Sequence, residues 1–411
     1  MSKFSFAAAL EELHGYINSG RIPTGLPQKT LTDFIKGIES GNIPAEGLRA
    51  YLDITRNPLF LNGLQSRENR YRWADSCFAA IKRANYNFKS LLDARVSSHP
   101  ERTLLKTIEN SEETAYSYAR VYNTAKLMAA LFYRLSGGPP VVGIYSENTL
   151  ENATADIACL AYDILVSPLN VHFDRETLHH IHKRLGMNIF VTDSDQRLRK
   201  LIDMRDRYNA DFIIVYSGYE SIPTDERTFI LGKLLASMKL EDADLILSER
   251  KRLALDDMAT VMFTSGSSGM PKGIAYNQYN IVTKRFARGA ALPDVGVNES
   301  LLSFLPLYHT FGRYLEMLGM IYWGGTYIFA GNPSFENLLA LMPRLNPTGL
   351  ISIPLRWSQL KEASMERSIS SGSSEEAAFR SCVGSSLRWG LSAAGYLDPK
   401  VFQYFHKNGV E

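Results

Sequence analysis

From Ser117 to Tyr216, short apolar runs alternate with amphipathic stretches, and this alternation constrains the fold more than any other feature of the chain. Ser117 is placed to cap a helix over Tyr118 to Leu135, and Gly137-Gly138 stops it. Strands follow at Val141 to Tyr145, Ile164 to Ser167, Asn188 to Thr192 and Phe212 to Tyr216, with a helix-length segment between each pair. Strands separated in this way predict a parallel sheet with helices on its faces. A second series starts at Thr260: a strand, a helix near Tyr279 to Arg288, strands at Leu301 to Leu305, Thr326 to Ala330 and Gly349 to Ile353, and a helix after His309. The expected class is α/β, with two packed, mixed or mostly parallel sheets flanked by helices.

The second series opens on the loop Phe263-Thr264-Ser265-Gly266-Ser267-Ser268-Gly269-Met270-Pro271-Lys272-Gly273, which follows the apolar run Ala259 to Phe263 and precedes a helix-compatible stretch. Its glycines let backbone amides approach an anion, the hydroxyls of Thr264, Ser265, Ser267 and Ser268 add neutral donors, and Lys272 adds a mobile positive charge. The loop reads as a phosphate grip. It is not a Walker A loop, because Pro271 stands where that motif has the glycine before its lysine, and Gly273 where it has the magnesium-binding Ser or Thr. A flexible Gly/Ser linker would lie between polar segments, not directly behind a buried strand.

The same loop is similar, at every defined position, to the aromatic-Thr-Ser-Gly-Ser/Thr-Ser/Thr-Gly-x-Pro-Lys-Gly motif of the adenylate-forming (AMP-binding) superfamily, which includes acyl-CoA synthetases, luciferases and peptide-synthetase adenylation domains. Leu305-Pro306-Leu307-Tyr308-His309-Thr310-Phe311-Gly312 resembles the superfamily's Pro-Leu-x-His segment, and Gly390-Leu391-Ser392-Ala393-Ala394-Gly395-Tyr396-Leu397 resembles the strand that walls its adenine and acyl pockets. Glu113 to Tyr118 resembles its early strand-to-helix entry. Within the superfamily, Gly312-Arg313-Tyr314, Ile321 to Thr326 and Ile353 to Trp357 are most similar to long-chain acyl-CoA synthetases. The resemblance implies an AMP-binding large domain over 87–411, preceded by a helical N-terminal extension over 1–86.

What the resemblance implies chemically is ATP-dependent activation of a carboxylic acid, of fatty-acid type, to an acyl-adenylate and then to a CoA thioester. Two anions must meet in the first step, which calls for neutralisation and positioning by backbone amides, Lys272 and Mg2+ more than for a protein nucleophile. Carried over by residue, Thr264, Ser265, Gly266, Ser267, Ser268, Gly269, Lys272 and Gly273 hold the ATP phosphates. His309 stands with Lys272 as a catalytic candidate, at the reacting carboxylate and the acyl entrance. Ser392, Ala393, Ala394 and Gly395 wall the adenine pocket, with departures at Ala393, usually Gly, and Tyr396, usually Pro. The chain reaches Glu411 before the expected Tyr-Gly-x-Thr-Glu segment, the ribose-binding aspartate, the hinge and the small C-terminal domain that carries the adenylation lysine. The resulting expectation is a truncated member or one part of a split enzyme, inactive and self-associating alone, with the remaining part supplied by fusion or in trans. Two other readings stay open: an adenylating enzyme that delivers to a carrier protein, and a non-catalytic nucleotide- or acyl-binding module.

Length and composition fit this frame. With 411 residues and 45% hydrophobic content the chain can bury more than one core, and a net charge of +2 offers no basic surface for nucleic acid. Cys77, Cys159 and Cys382 lack C-x-x-C spacing and read as buried thiols in a reducing compartment. The longest apolar stretch, Ala153 to Leu169, is interrupted by Asp156 and Asp163, so a non-spanning, cytoplasmic protein is expected. Residues 1–86 read as short amphipathic helices whose Leu10, Leu13, Ile17, Phe34 and Ile38 pack on the neighbouring domain, in preference to a partner or a peripheral membrane contact. Basic residues between Arg197 and Arg207 read as the solvated face of another helix. Ser368 to Glu376 reads as an exposed loop, and Asp398, Pro399 and Gly409 as the punctuation of a final helix. His172, His179, His180 and His182 cluster in sequence, but no carboxylate or cysteine at ligand spacing completes a metal site.

Overall fold

The computed structural model of the chain describes residues 6–109, 112–218, 225–250, 253–264 and 269–411. Its first part is helical: Phe6–Asn18, Leu26–Glu39, Ala45–Thr55, Pro58–Gly63, Arg67–Ala84 and Phe88–Ser98. Side-chain caps set several of these starts, with Asn57, Ser66 and Asn87 each accepting a hydrogen bond from a backbone N–H of the turn they open. Leu10, Leu13, Phe34 and Ile38 are buried, and Phe34 stacks on Tyr51 at 3.4 Å between ring centroids. These residues belong to a core continuous with that of the sheets, so the apolar faces of the early helices pack inward.

Among the described residues thirteen strands follow. They are β1 (Thr103–Glu109), β2 (Glu112–Ser117), β3 (Val141–Tyr145), β4 (Leu165–Pro168), β5 (Ile189–Thr192), β6 (Ile213–Tyr216), β7 (Thr228–Ile230), β8 (Met258–Thr264), β9 (Lys272–Asn277), β10 (Ser300–Ser303), β11 (Thr326–Phe329), β12 (Gly349–Ser352) and β13 (Trp389–Ser392). One sheet has the order β13-β12-β10-β11-β1-β2 and the other β7-β6-β5-β3-β4-β8-β9. All pairings are parallel except β1 with β2 and β8 with β9. The inner strands β5 and β12 are buried on both faces, whereas β2 and β9 sit on antiparallel edges and are largely exposed.

The apolar stretch Ala153 to Leu169 becomes the helix Leu150–Ala161, a tight turn at Asp163 with φ 56°, and β4. That helix is buried from Asn152 to Ala161, which explains why it is apolar all round. Among the described residues no helix is long and apolar enough to cross a membrane. The cysteines are free and buried. Ser117 caps Tyr118–Ser136 through Arg120 N, and Asp195–Tyr208 buries Leu198, Leu201 and Met204.

Three local expectations are corrected. The stretch after the phosphate loop is β9, so the loop closes an antiparallel hairpin and does not enter a helix; the helix begins at Gln278, where Asn277 forms a reciprocal capping box with Asn280. Ser368 to Glu376 is mostly helical. Pro354–Ser371 runs on until Gly372, whose φ of 65° ends it, and Ser374 caps the next helix, Glu375–Val383. Finally, β13 ends at Ser392, so Ala393 to Gly395 form the loop beyond the strand, and its edge is met by Glu411, which exchanges backbone hydrogen bonds with Arg388 and Gly390. The closing helix is Pro399–Lys407, capped by Asp398.

Candidate active site

Because the inner strands of each sheet are parallel, the segments that leave them gather at the carboxyl ends, where α/β folds hold ligands. There a chamber of about 970 Å³ joins the two sheets. Its lining draws Asn148 from beyond β3, His172 from beyond β4, His309 from beyond β10, Ser352 and Ile353 from the end of β12, and Ala393 and Ala394 from beyond β13. The structure therefore brings His309, Ala393 and Ala394 together across 84 residues of sequence. Of the other histidines, His179 stacks on Tyr208 and His182 Nδ1 bonds Met187 O at 2.8 Å, so the sequence cluster is dispersed among packing roles.

The His309 loop is held from the opposite sheet. Asn148 donates through Nδ2 to Leu305 O at 2.7 Å and accepts through Oδ1 from Leu307 N at 2.8 Å, clamping the backbone before the histidine. After His309 the chain enters a π-helix, Phe311–Met317, followed by the α-helix Leu318–Trp323. Gly312 is required at this entry, since a Cβ there would lie 2.4 Å from Leu305 O and 2.5 Å from Pro306 O. The His309 ring faces the chamber, and its partial burial holds its pKa below the ordinary histidine value. At neutral pH it is an uncharged imidazole that can donate one hydrogen bond and accept another.

Behind that ring, Arg313 is wholly buried and paired with Asp156 in a two-pronged bridge, Nε to Oδ2 at 2.7 Å and Nη2 to Oδ1 at 2.5 Å. Its Nη1 donates to Thr260 Oγ1 at 2.8 Å, and Thr260 Oγ1 donates to Val166 O. Burial is the largest influence and opposes the charge, but the Asp156 carboxylate together with Tyr314 and Cys159 outweighs it, and Arg313 titrates above its ordinary value. This network ties the π-helix after His309 to β8, the strand that leads into the phosphate loop.

Within that hairpin the described residues are Thr264 and Gly269 to Gly273; Ser265, Gly266, Ser267 and Ser268 lie outside the described residues. Gly269 has φ 110°, a conformation that favours glycine, and a Cβ on Gly273 would lie 2.9 Å from Val261 Cγ1. Lys272 is exposed at the mouth of the hairpin and meets no carboxylate among the described residues. A glycine-permissive turn with an unneutralised ammonium fits a polyphosphate. Lys272 is not part of the chamber wall; Phe263 before the loop and Tyr308 before the histidine both pack on the apolar cluster of Tyr145, Leu169 and Tyr216.

Beyond β13, Ala393 N donates to Ser352 O at 3.0 Å and Ala394 adopts φ 61°, an uncommon conformation for alanine. Ala393 and Ala394 form the chamber wall, whereas Ser392 and Gly395 do not line it.

One side chain of the π-helix stands apart. Glu316 is fully buried, and neither its carboxyl oxygens nor the hydroxyls of Ser303, Tyr327 and Ser352 on the adjoining strands find a hydrogen-bond partner of good geometry, although Ser303 lies close to the carboxyl. Burial pushes the Glu316 carboxyl well above its ordinary value of 4.5, opposed only in part by Ser303. The folded state thus holds a proton that the unfolded chain releases above that value, so stability is lost as pH rises. Glu316→Gln is expected to stabilise the protein by about 1–3 kcal/mol at pH 8, with the gain fading near pH 4.5. Denaturant unfolding across that range measures it, and a pH-independent difference would contradict the assignment.

Asn148, Asp156 and Glu316 were not legible as site residues, although a polar residue at the end of a buried strand and a carboxylate inside an apolar run were available signals. With the site described, its relatives can be compared. Residues 92–410 match the family described as AMP-binding enzyme. The long-chain-fatty-acid–CoA ligase ACSBG2 of Xenopus laevis is 25% identical over 284 residues, covering 66% of this chain and 38% of that protein. Human long-chain-fatty-acid–CoA ligase 1 is 28% identical over 218 residues, covering 50% of this chain and 31% of that protein. The chain thus spans about a third of the length of these relatives. Among solved structures, the anthranilate CoA ligase AuaEII in complex with anthranoyl-AMP superposes with a TM-score of 0.65 at 17% identity, over 79% of this chain and 59% of that one. The luciferase-like enzyme from Zophobas morio gives 0.62 at 18%, over 78% and 69%. These two likenesses confirm the fold of two helix-flanked sheets. The chain belongs to the AMP-binding enzyme family.

Proposed function

We infer that this AMP-binding family member contributes the phosphate-gripping and acyl-binding parts of an ATP-dependent carboxylate ligase acting on fatty acids. The observation that carries the reading is the convergence of an uncharged His309 and an apolar-lined chamber at the carboxyl ends of parallel strands, with β8 of the hairpin that bears Lys272 tied to the helix after His309 through Thr260 and Arg313. In this reading the hairpin amides and Lys272 hold the β- and γ-phosphates with Mg2+, and His309 faces the attacking carboxylate. Attack on the α-phosphorus expels pyrophosphate and leaves an acyl-adenylate; the CoA thiol then attacks the acyl carbon, loses its proton and displaces AMP to form the thioester. Magnesium bound to the phosphates would supply charge neutralisation. The low-identity likeness to long-chain-fatty-acid–CoA ligases supports the fatty-acid and CoA assignments. Residues 1–86 serve as a docked helical extension of the large domain, and the cytoplasm is the proposed location.

The test is ligand protection. ATP with magnesium at a hundred times its dissociation constant stabilises a folded protein by about 2.7 kcal/mol, and that protection is expected here. Lys272→Ala should remove most of it, while His309→Ala should leave it intact and depress carboxylate-dependent ATP–pyrophosphate exchange in any assay where exchange is measurable. Equal protection of wild type and Lys272→Ala across an ATP titration would remove the phosphate role of Lys272.

A further inference from the structure

Beside the main chamber lies a smaller cavity of about 220 Å³, and Thr310 and Phe311 belong to the walls of both. Its character is different. Lys284, Arg285 and Arg288 line it, and among the described residues no acidic one does. All three come from the helix Gln278–Ala291, which starts directly after β9, and their spacing of one and four residues sets Lys284 and Arg288 on one face.

Arg285 is the unusual member. It is 3% exposed, its Nε has no hydrogen-bond partner, and among the described residues its guanidinium makes no ion pair. Its described neighbours include the Tyr314 ring, 5.9 Å from its Cζ, and Arg288 and Tyr322. Burial and then Arg288 pull its pKa down to about 9, the signature of a buried cation without a counter-charge. Arg313, the other buried arginine nearby, has its carboxylate in Asp156; Arg285 has none. An unpaired buried guanidinium is costly, so an anionic ligand that paired with it would recover part of that cost. The planar fork of Nε and Nη matches a carboxylate, and the walls of Tyr276, Phe311, Tyr314 and Leu315 suit the apolar chain that would carry it.

We propose that the acid taken by this chain carries a second carboxylate at its far end, which crosses the Thr310–Phe311 partition and pairs with Arg285. The proposal rests on the reading of the main chamber as the acyl site, with the reacting carboxylate at His309. Lys284 and Arg288 then draw the second anion in, and Arg285 fixes it, so the substrate class is an α,ω-dicarboxylic acid in place of a simple fatty acid.

The experiment is titration calorimetry of the full chain, with ATP and magnesium present, using sebacate against decanoate and suberate against octanoate. Each diacid is expected to bind at least about tenfold more tightly than its matched monoacid. Arg285→Met should bring sebacate down to the level of decanoate and leave decanoate unchanged. Should that variant fail to fold, Lys284→Gln with Arg288→Gln keeps the test open, since it should weaken sebacate several-fold and flatten its salt dependence without touching decanoate. Equal binding of diacid and monoacid overturns the second-anion proposal while leaving the acyl chamber standing. No binding of either acid overturns both, and the ATP protection measured in the same samples reports separately on the nucleotide reading. Inorganic phosphate binding at low millimolar concentration, with sebacate indifferent to Arg285→Met, would mark a free-anion site and also overturn the proposal.

Discussion

Asp156→Ala is expected to lower the unfolding free energy by about 3–5 kcal/mol, the range for breaking a buried ion pair by removing one partner. The reason is the isolation of Arg313. Its guanidinium is wholly buried, and without Asp156 it would retain only the hydroxyls of Thr260 and Tyr314. Against a total stability of about 5–15 kcal/mol this is a large loss. The same principle predicts recovery: Asp156→Leu combined with Arg313→Met removes both charges and should regain most of the stability, because a buried pair contributes little net stabilisation over an apolar replacement. Urea unfolding of Asp156→Leu, Arg313→Met and the double variant measures the coupling as a double-mutant cycle. A loss below about 1 kcal/mol for Asp156→Ala would mean that water reaches Arg313. The double variant separates folding from positioning, since it also cuts the tie between the helix after His309 and the strand before Lys272.

Much of this architecture was legible because short buried strands and capped helices carry their information locally. Ser117, Gly137-Gly138, Asp398 and Gly409 sit where the expected boundaries placed them, since caps and left-handed turns depend on one or two residues. The stretch after the phosphate loop was misread for a different reason. Lys272 to Asn277 has no apolar alternation, being an exposed edge strand, and only its pairing with β8 defines it. Ser368 to Ser371 failed similarly: a serine-rich segment looks like a loop, but the packing of Trp357, Leu360 and Ser364 carries the helix past it. In the site, Lys272 and His309 stood out through motif residues, whereas Asn148 acts through two backbone contacts at residues 157 and 159 positions away. Arg285 gave no signal at all, because a basic residue on an amphipathic helix is ordinarily solvated; the burial of this one is a property of its neighbours.

Trp73→Ala is expected to cost about 3–5 kcal/mol, and to do so in a single cooperative transition that includes the sheets. Trp73 is fully buried on the helix Arg67–Ala84, donates through Nε1 to Thr55 Oγ1 at 2.8 Å, and lies 5.9 Å from the ring of Phe286. Phe286 belongs to the helix that follows the phosphate hairpin, and it meets Tyr86 at 6.1 Å and Tyr322 at 5.2 Å. The seam is polar as well as apolar. Arg95 donates to Tyr322 O, Phe88 N donates to Gln278 Oε1 at 3.2 Å, and Asn85 and Asn87 each donate to Leu253 O at 2.9 Å. An opening between the early helices and the family domain would strand these groups without partners, which is the physical ground for cooperativity. Calorimetry checks it: one transition, shifted down in Trp73→Ala, with ATP and magnesium raising its midpoint in both proteins. Two transitions, with the first insensitive to ATP, would show that the helices of residues 6–98 melt independently of the nucleotide site, and that the Trp73–Phe286 contact is a surface on which they rest and not a shared core.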